Sequence, residues 1–146
     1  MNKEDIKQQI VEIEAQMSDP TFWNDKVHAQ EVVQKHQELK DQLEGLGKYD
    51  RLDAIMTIFA GAGGDDAEDF VRMLLDIYTK FAANKGWTMR YLHEHKVDHG
   101  GYRNVTVAIE GKNVYGTLKK ESGVHRLVRQ SPFNANAKRQ TSFAMV

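Results

Sequence analysis

The sequence predicts an α+β fold: an antiparallel helical hairpin over residues 1–50, then an α+β domain with a small, mostly antiparallel sheet over residues 51–146. Three observations predict it. Apolar residues recur at helical spacing in two early stretches and again between Phe70 and Phe81. Val105, Val107 and Ile109 alternate with polar residues, as in a half-buried strand. Glycines at 45–47, 61–64, 86, 100–101 and 111 punctuate these segments.

In chain order, Ile6, Ile10, Ile13 and Met17 form one apolar stripe on a first helix. Ser18-Asp19-Pro20 reads as a stop and restart, since Asp19 suits a cap and Pro20 a first helical position. Val32, His36, Leu39 and Leu43 mark a second helix, with Phe22 and Trp23 expected to seal the turn as core residues. Gly45 and Gly47 end it, and the apolar run before Phe59 is expected to enter a sheet. A third helix follows Gly61–Gly64, with Phe70, Leu74, Ile77, Tyr78 and Phe81 on its buried face and Gly86 as its stop. Residues 88–92 and 102–109 read as strands, and 114–122 as a short helix.

Hydrophobic content of 40% and charged content of 28% are those of an ordinary globular protein. With no cysteine, a disulfide framework and a thiolate zinc site are both excluded. No apolar run opens the chain and none approaches the roughly 20 residues that cross a bilayer. A soluble, cytoplasmic chain without a membrane partner is expected. His93, His95 and His99, beside Glu94 and Asp98, read as a solvated polar edge, so no metal site is expected.

The net charge of −1 hides an asymmetry: residues 1–50 carry 6 basic against 11 acidic side chains, whereas residues 117–146 carry 6 against 1. A basic end on a near-neutral chain is the footprint of a localised nucleic-acid contact. Within it, Gly123-Val-His-Arg-Leu-Val-Arg-Gln-Ser131-Pro-Phe133 and Lys138-Arg-Gln-Thr-Ser-Phe143 join phosphate-facing cations (Arg126, Arg129, Lys138 and Arg139) to the hydroxyls of Ser131 and Thr141 and the flat face of Phe133. Pro132 stiffens the connection and pushes Ser131 toward an extended conformation. Exposed bases are read by this equipment, through hydrogen bonds to their edges and stacking on planar groups. The glycines before the third helix suggest a phosphate loop, but Asp65, Asp66, Glu68 and Asp69 would repel an anion there and suit the helix dipole instead. Backbone near Gly63 and the Asp66 carboxylate complement a uracil edge.

Gly123–Arg129, Ser131-Pro-Phe133 and Thr141-Ser-Phe143 resemble the codon-recognition domain of bacterial class I peptide chain release factors, and Ser-Pro-Phe resembles the release factor 2 branch, whose members read UGA and UAA. Met17–Asp25 and Gly61–Ala67 resemble that branch's helical domain and the turn opening its next domain. The resemblance implies translation termination on the ribosome, with the decoding site, its rRNA and the mRNA stop codon as partners. Neither a cofactor nor a small-molecule substrate is implied. It places the first-base contact at Gly63 and Asp66 (where glutamate is usual), the second at Ser131, and the third at Thr141, with Gln140 where the family has a stacking histidine. Gly-Gly-Gln, the family's hydrolytic motif, does not occur in these residues, so no catalytic residue is expected. Residues 51–146 are accordingly read as a recognition domain incomplete at its C-terminal end. The chain is expected to be the reading part of a longer factor, or a shortened regulatory or rescue paralogue that binds the ribosome without releasing peptide.

Overall fold

The computed structural model describes residues 2–146, which fall into two compact units, 1–50 and 51–146. The first is a helical hairpin. Helix α1 (Lys3–Met17) opens on a capping box in which the Asn2 side chain accepts from the Asp5 N–H and the Asp5 carboxylate accepts from the Asn2 N–H. Its Ile6, Ile10 and Ile13 are buried with Leu39 of helix α2 (Lys26–Glu44), and Met17, Val32 and Leu43 pack around them. Asp19 caps as expected, but Pro20–Asn24 is a single 3-10 turn, and α2 begins under a second cap, Asp25, which accepts from the Val27 and His28 N–H groups.

The expectation for Trp23 is corrected here. Trp23 is 53% exposed rather than part of the core. Its indole N–H needs a partner and finds the Met17 carbonyl at 3.2 Å, one of the acceptors a helix end leaves free; Phe22 packs edge-to-face against it. His36 lies in the apolar stripe but uses its ring polarity, with Nε2 3.0 Å from Glu14 Oε1. That bond, with one from Lys40, holds the Glu14 carboxyl below its usual range.

The second unit is one five-stranded, wholly antiparallel sheet in the order β2-β3-β1-β5-β4, with α3 packed across one face. The strands are β1 (Ala54–Ala60), β2 (Thr88–Lys96), β3 (Tyr102–Glu110), β4 (Val124–Gln130) and β5 (Arg139–Met145); α3 spans Asp65–Lys85 and the short α4 Val114–Leu118. Ile58, Val105, Val107 and Ile109 have no exposed surface, and they meet Phe70, Val71, Leu74, Leu75 and Tyr78 of α3. At 100° per residue the buried stripe centres on Val71, Leu74 and Tyr78, which leaves Ile77 at its rim and 56% exposed, against expectation. Strand β2 also runs past the expected residue 92 and carries His93 and His95. Among the described residues no helix is long and apolar enough to cross a membrane.

The turn between β1 and α3 is tied to β5. The Gly61 N–H donates to the Phe143 carbonyl at 2.8 Å and the Phe143 N–H to the Ala62 carbonyl at 2.9 Å. Gly63 then adopts φ +133°, and a Cβ there would stand 2.7 Å from the Ser142 Cβ. Gly64, at φ +57°, has open space around it. Gly63→Ala combines backbone strain with a collision in a packed layer, whereas Gly64→Ala meets strain alone. Thermal unfolding should therefore show a loss of about 2 kcal/mol or more for the first and about 1 kcal/mol for the second. Equal losses would mean that the packing against Ser142 is not what demands glycine.

Candidate functional site

The helix start expected to act as a dipole-stabilised cap is instead a junction for side chains from three later elements. Asp69, 7% exposed, accepts from Arg72 Nε at 2.8 Å and from Arg129 of β4 at 2.7 Å. Asp66 accepts from the Ser131 hydroxyl at 2.7 Å, and the same Arg129 nitrogen approaches it at 3.4 Å. Glu68 lies 3.0 Å from His99 Nε2, in the turn between β2 and β3, and accepts from Arg103 Nε of β3 at 3.3 Å. Asp65 is left largely in solvent, 3.7 Å from His99.

Burial alone would raise the Asp69 carboxyl, but the bonds from Arg72 and Arg129 outweigh it and hold it below the usual aspartate range. Glu68 is lowered as well, chiefly by the bond to His99, against a smaller effect of burial.

Ser131 is 4% exposed. It directly follows β4, its N–H bonded to the Lys138 carbonyl at 3.1 Å, so the segment 131–138 is the closed tip of the β4–β5 hairpin. The Ser131 oxygen donates its proton to Asp66 while accepting the Phe133 N–H at 3.1 Å. Asp65, Asp66, Ser131, Phe133, Asn134 and Gln140 line one open recess of about 370 Å³. One end of the sheet thus collects the hydroxyl, carboxylate, amide and aromatic ring that the sequence singled out.

Strand alternation separates other expected partners. Gln140 lies across from Arg129 on the α3 side of the hairpin, whereas Thr141 lies across from Val128 on the opposite face and does not line the recess. Gly63 contributes backbone geometry at the helix start, with φ +133°. Arg126, Lys138 and Arg139 are exposed. Arg129 is a correction. It turns inward to two carboxylates, because two anions at a buried helix start need a cation more than solvent does. Its Nε is buried with no partner. His125 Nε2 lies 2.8 Å from the Glu121 carbonyl.

Sequence reasoning missed Asp69 and Arg129 as a pair, and His99 as a neighbour of the Ser-Pro-Phe segment. The spacing Asp66, Asp69, Arg72, three residues apart along one helix face, was a usable signal for the first. None existed for the second. The Asp69 geometry has a pH consequence. A carboxyl lowered in the folded state stabilises fully above its unfolded value of about 3.9, and that stability is lost as pH falls through the folded value. Asp69→Asn should cost about 2–3 kcal/mol at neutral pH and flatten the loss of stability below about pH 4, in denaturation followed from pH 2 to 7.

Comparison with known proteins gives the family. A family model for the PCRF domain matches residues 36–146. Peptide chain release factor 2 of Clostridium perfringens (strain ATCC 13124) is 44% identical over 130 residues, covering 84% of this chain and 36% of that protein. The same factor from Thermotoga sp. (strain RQ2) is 31% identical over 194 aligned positions, covering all of this chain and 53% of its own length. The solved structure of RF2 of Thermus thermophilus superimposes with a TM-score of 0.68 at 36% identity, over 94% of this chain and 39% of that one. The chain therefore spans between about a third and a half of the length of the curated relatives it matches. It belongs to the peptide chain release factor family, on its release factor 2 branch.

Proposed function

We propose that this chain reads the stop codons UGA and UAA in the ribosomal decoding site, as the recognition part of translation termination. The observation that carries the reading is the 2.7 Å bond between Ser131 and Asp66, which brings a loop hydroxyl and a helix-start carboxylate into one recess from positions 65 residues apart. Asp66 is an acceptor for the N3–H of a leading uracil. The Ser131 hydroxyl can donate to the O6 of guanine or accept from the N6 amine of adenine, the two bases that follow uracil in UGA and UAA. In the free chain the two groups satisfy each other, so neither waits unpaired for its base.

Gln140 lies on the same side as this pair and Thr141 on the other. A third base that meets Thr141 has to pass to the far side of the hairpin, apart from the first two. The resemblance assigns that separation to a histidine stacked at the position of Gln140. A glutamine amide has a planar surface but no aromatic one, so less stacking is available here. Arg126, Lys138 and Arg139 supply cations for ribosomal or messenger phosphates. Peptide release is no part of the proposal for these residues.

Binding to ribosomes programmed with UGA, UAA, UAG or a sense codon tests the reading, at one fixed salt concentration. UGA and UAA should bind more tightly than the sense codon, and Ser131→Ala should remove about tenfold or more of that preference. Equal binding to all four would end the codon-reading proposal and leave a ribosome-binding scaffold. The cations have a different signature. Arg126→Ala or Arg139→Ala should weaken binding to every programmed ribosome alike and lower the salt slope by about one each. A codon-dependent loss would instead place that side chain against a base.

A further inference from the structure

His99 stands outside every segment that resembles the family's reading motifs, yet its ring packs on one of them. The imidazole and the Phe133 ring are 5.0 Å apart, centroid to centroid, tilted at 60°. The imidazole is itself fixed from the other side, with Nε2 3.0 Å from Glu68 Oε2 in the first turn of α3. Glu68 is held in turn by Arg103 Nε at 3.3 Å. The turn bearing His99 approaches that closely only because residue 101 is glycine: a Cβ on Gly101 would lie 2.7 Å from the Glu68 carbonyl carbon and 2.8 Å from the His99 ring. A rigid helix end thus fixes the imidazole, and the imidazole meets Phe133.

The geometry points to His99 as a positioning residue that seats Phe133, and through it the orientation of the Ser131-Pro132-Phe133 loop; its effect on codon choice rests on the reading proposed above. Phe133 is 41% exposed, so one part of its ring is held while another stays open to a base. Ser131 has its own anchor in Asp66, so the loop is pinned at both ends by the same helix turn, once directly and once through His99. Asp65, Glu68 and His99 also place three ligand-type atoms within 4.8 Å of one another. Arg103 already brings a positive charge to that group, however, which disfavours a cation there and favours a mechanical role for the imidazole.

The test separates the seat from its use. The full chain is labelled with 4-fluorophenylalanine, and the Phe133 resonance is assigned by its absence in Phe133→Leu. The readouts are the fluorine spectrum, the melting temperature and the preference for UGA and UAA over a sense codon. His99→Ala and His99→Gln should move and average the Phe133 resonance with little change in melting temperature, and should cut the preference about three- to tenfold. His99→Phe restores an aromatic ring and should bring both readouts most of the way back. A Phe133 resonance that does not respond to His99→Ala overturns the inference. So does one that moves while a clear wild-type preference stays intact. If the resonance moves as expected but wild type shows no codon preference, the seat stands and codon reading is what fails.

Discussion

The second unit depends on how the first turn of α3 disposes of its carboxylates. Four of them within five residues suit the positive end of a helix in sign but repel one another in number. The fold resolves this by distributing them. Asp69 and Asp66 face Arg129 of β4 and Ser131 just after it, Glu68 faces His99 and Arg103 of the β2–β3 hairpin, and Asp65 stays in solvent. Each contact is long-range in sequence, so one helix turn ties two hairpins to α3. At Asp69, the buried carboxylate of the set, removing Arg129 takes a cation from a desolvated anion and costs more than one bond suggests, whereas the exposed His99 carries no such penalty.

The same junction explains what the sequence disclosed and what it hid. Strand β3 was legible because Val105, Val107 and Ile109 all face one apolar layer, and α3 because most of its stripe is apolar. Strand β4 was not assigned as a strand, although its register with β5 is complete over seven residue pairs. Its inward set is His125, Leu127 and Arg129, and its outward set includes the exposed Val124 and Val128. That is nearly the inverse of the alternation that marks a half-buried strand, because its inner face meets carboxylates as well as methyl groups. Trp23 was misplaced for a related reason. Aromatic area argues for burial, but an indole N–H beside a helix end is better served at the surface, where a carbonyl is free.

The candidate site was legible in composition and not in geometry. Ser131, Phe133, Gln140 and Asp66 could be chosen by type and resemblance, and they do converge. No residue-level pattern shows that Ser131 donates to Asp66, that Arg129 is committed inward, or that Gln140 and Thr141 face opposite ways until the hairpin's register is known. His99 lies 31 residues from Glu68 and 34 from Phe133 in sequence, and no local rule links them. The glycine at 101, whose missing Cβ permits the approach, reads in sequence as an ordinary turn residue.

On the proposed reading, the mutual satisfaction of Ser131 and Asp66 decides what kind of selectivity the site can have. A hydrogen bond to a charged group contributes about 1.5–3 kcal/mol, and this one exists before any codon arrives. A cognate base therefore exchanges one bond for others and adds little net attraction at these two atoms. A base with the wrong edge separates the pair without replacing it, and leaves a desolvated hydroxyl or carboxylate behind. Discrimination then comes from the penalty on the wrong base rather than from a reward for the right one. Affinity has to come from elsewhere, and the exposed cations of the last thirty residues are placed to supply it without regard to sequence. Asp66 sharpens that division: its short side chain keeps the carboxylate within reach of both Ser131 and Arg129, so the acceptor that would meet the first base is also the one that restrains the reader of the second.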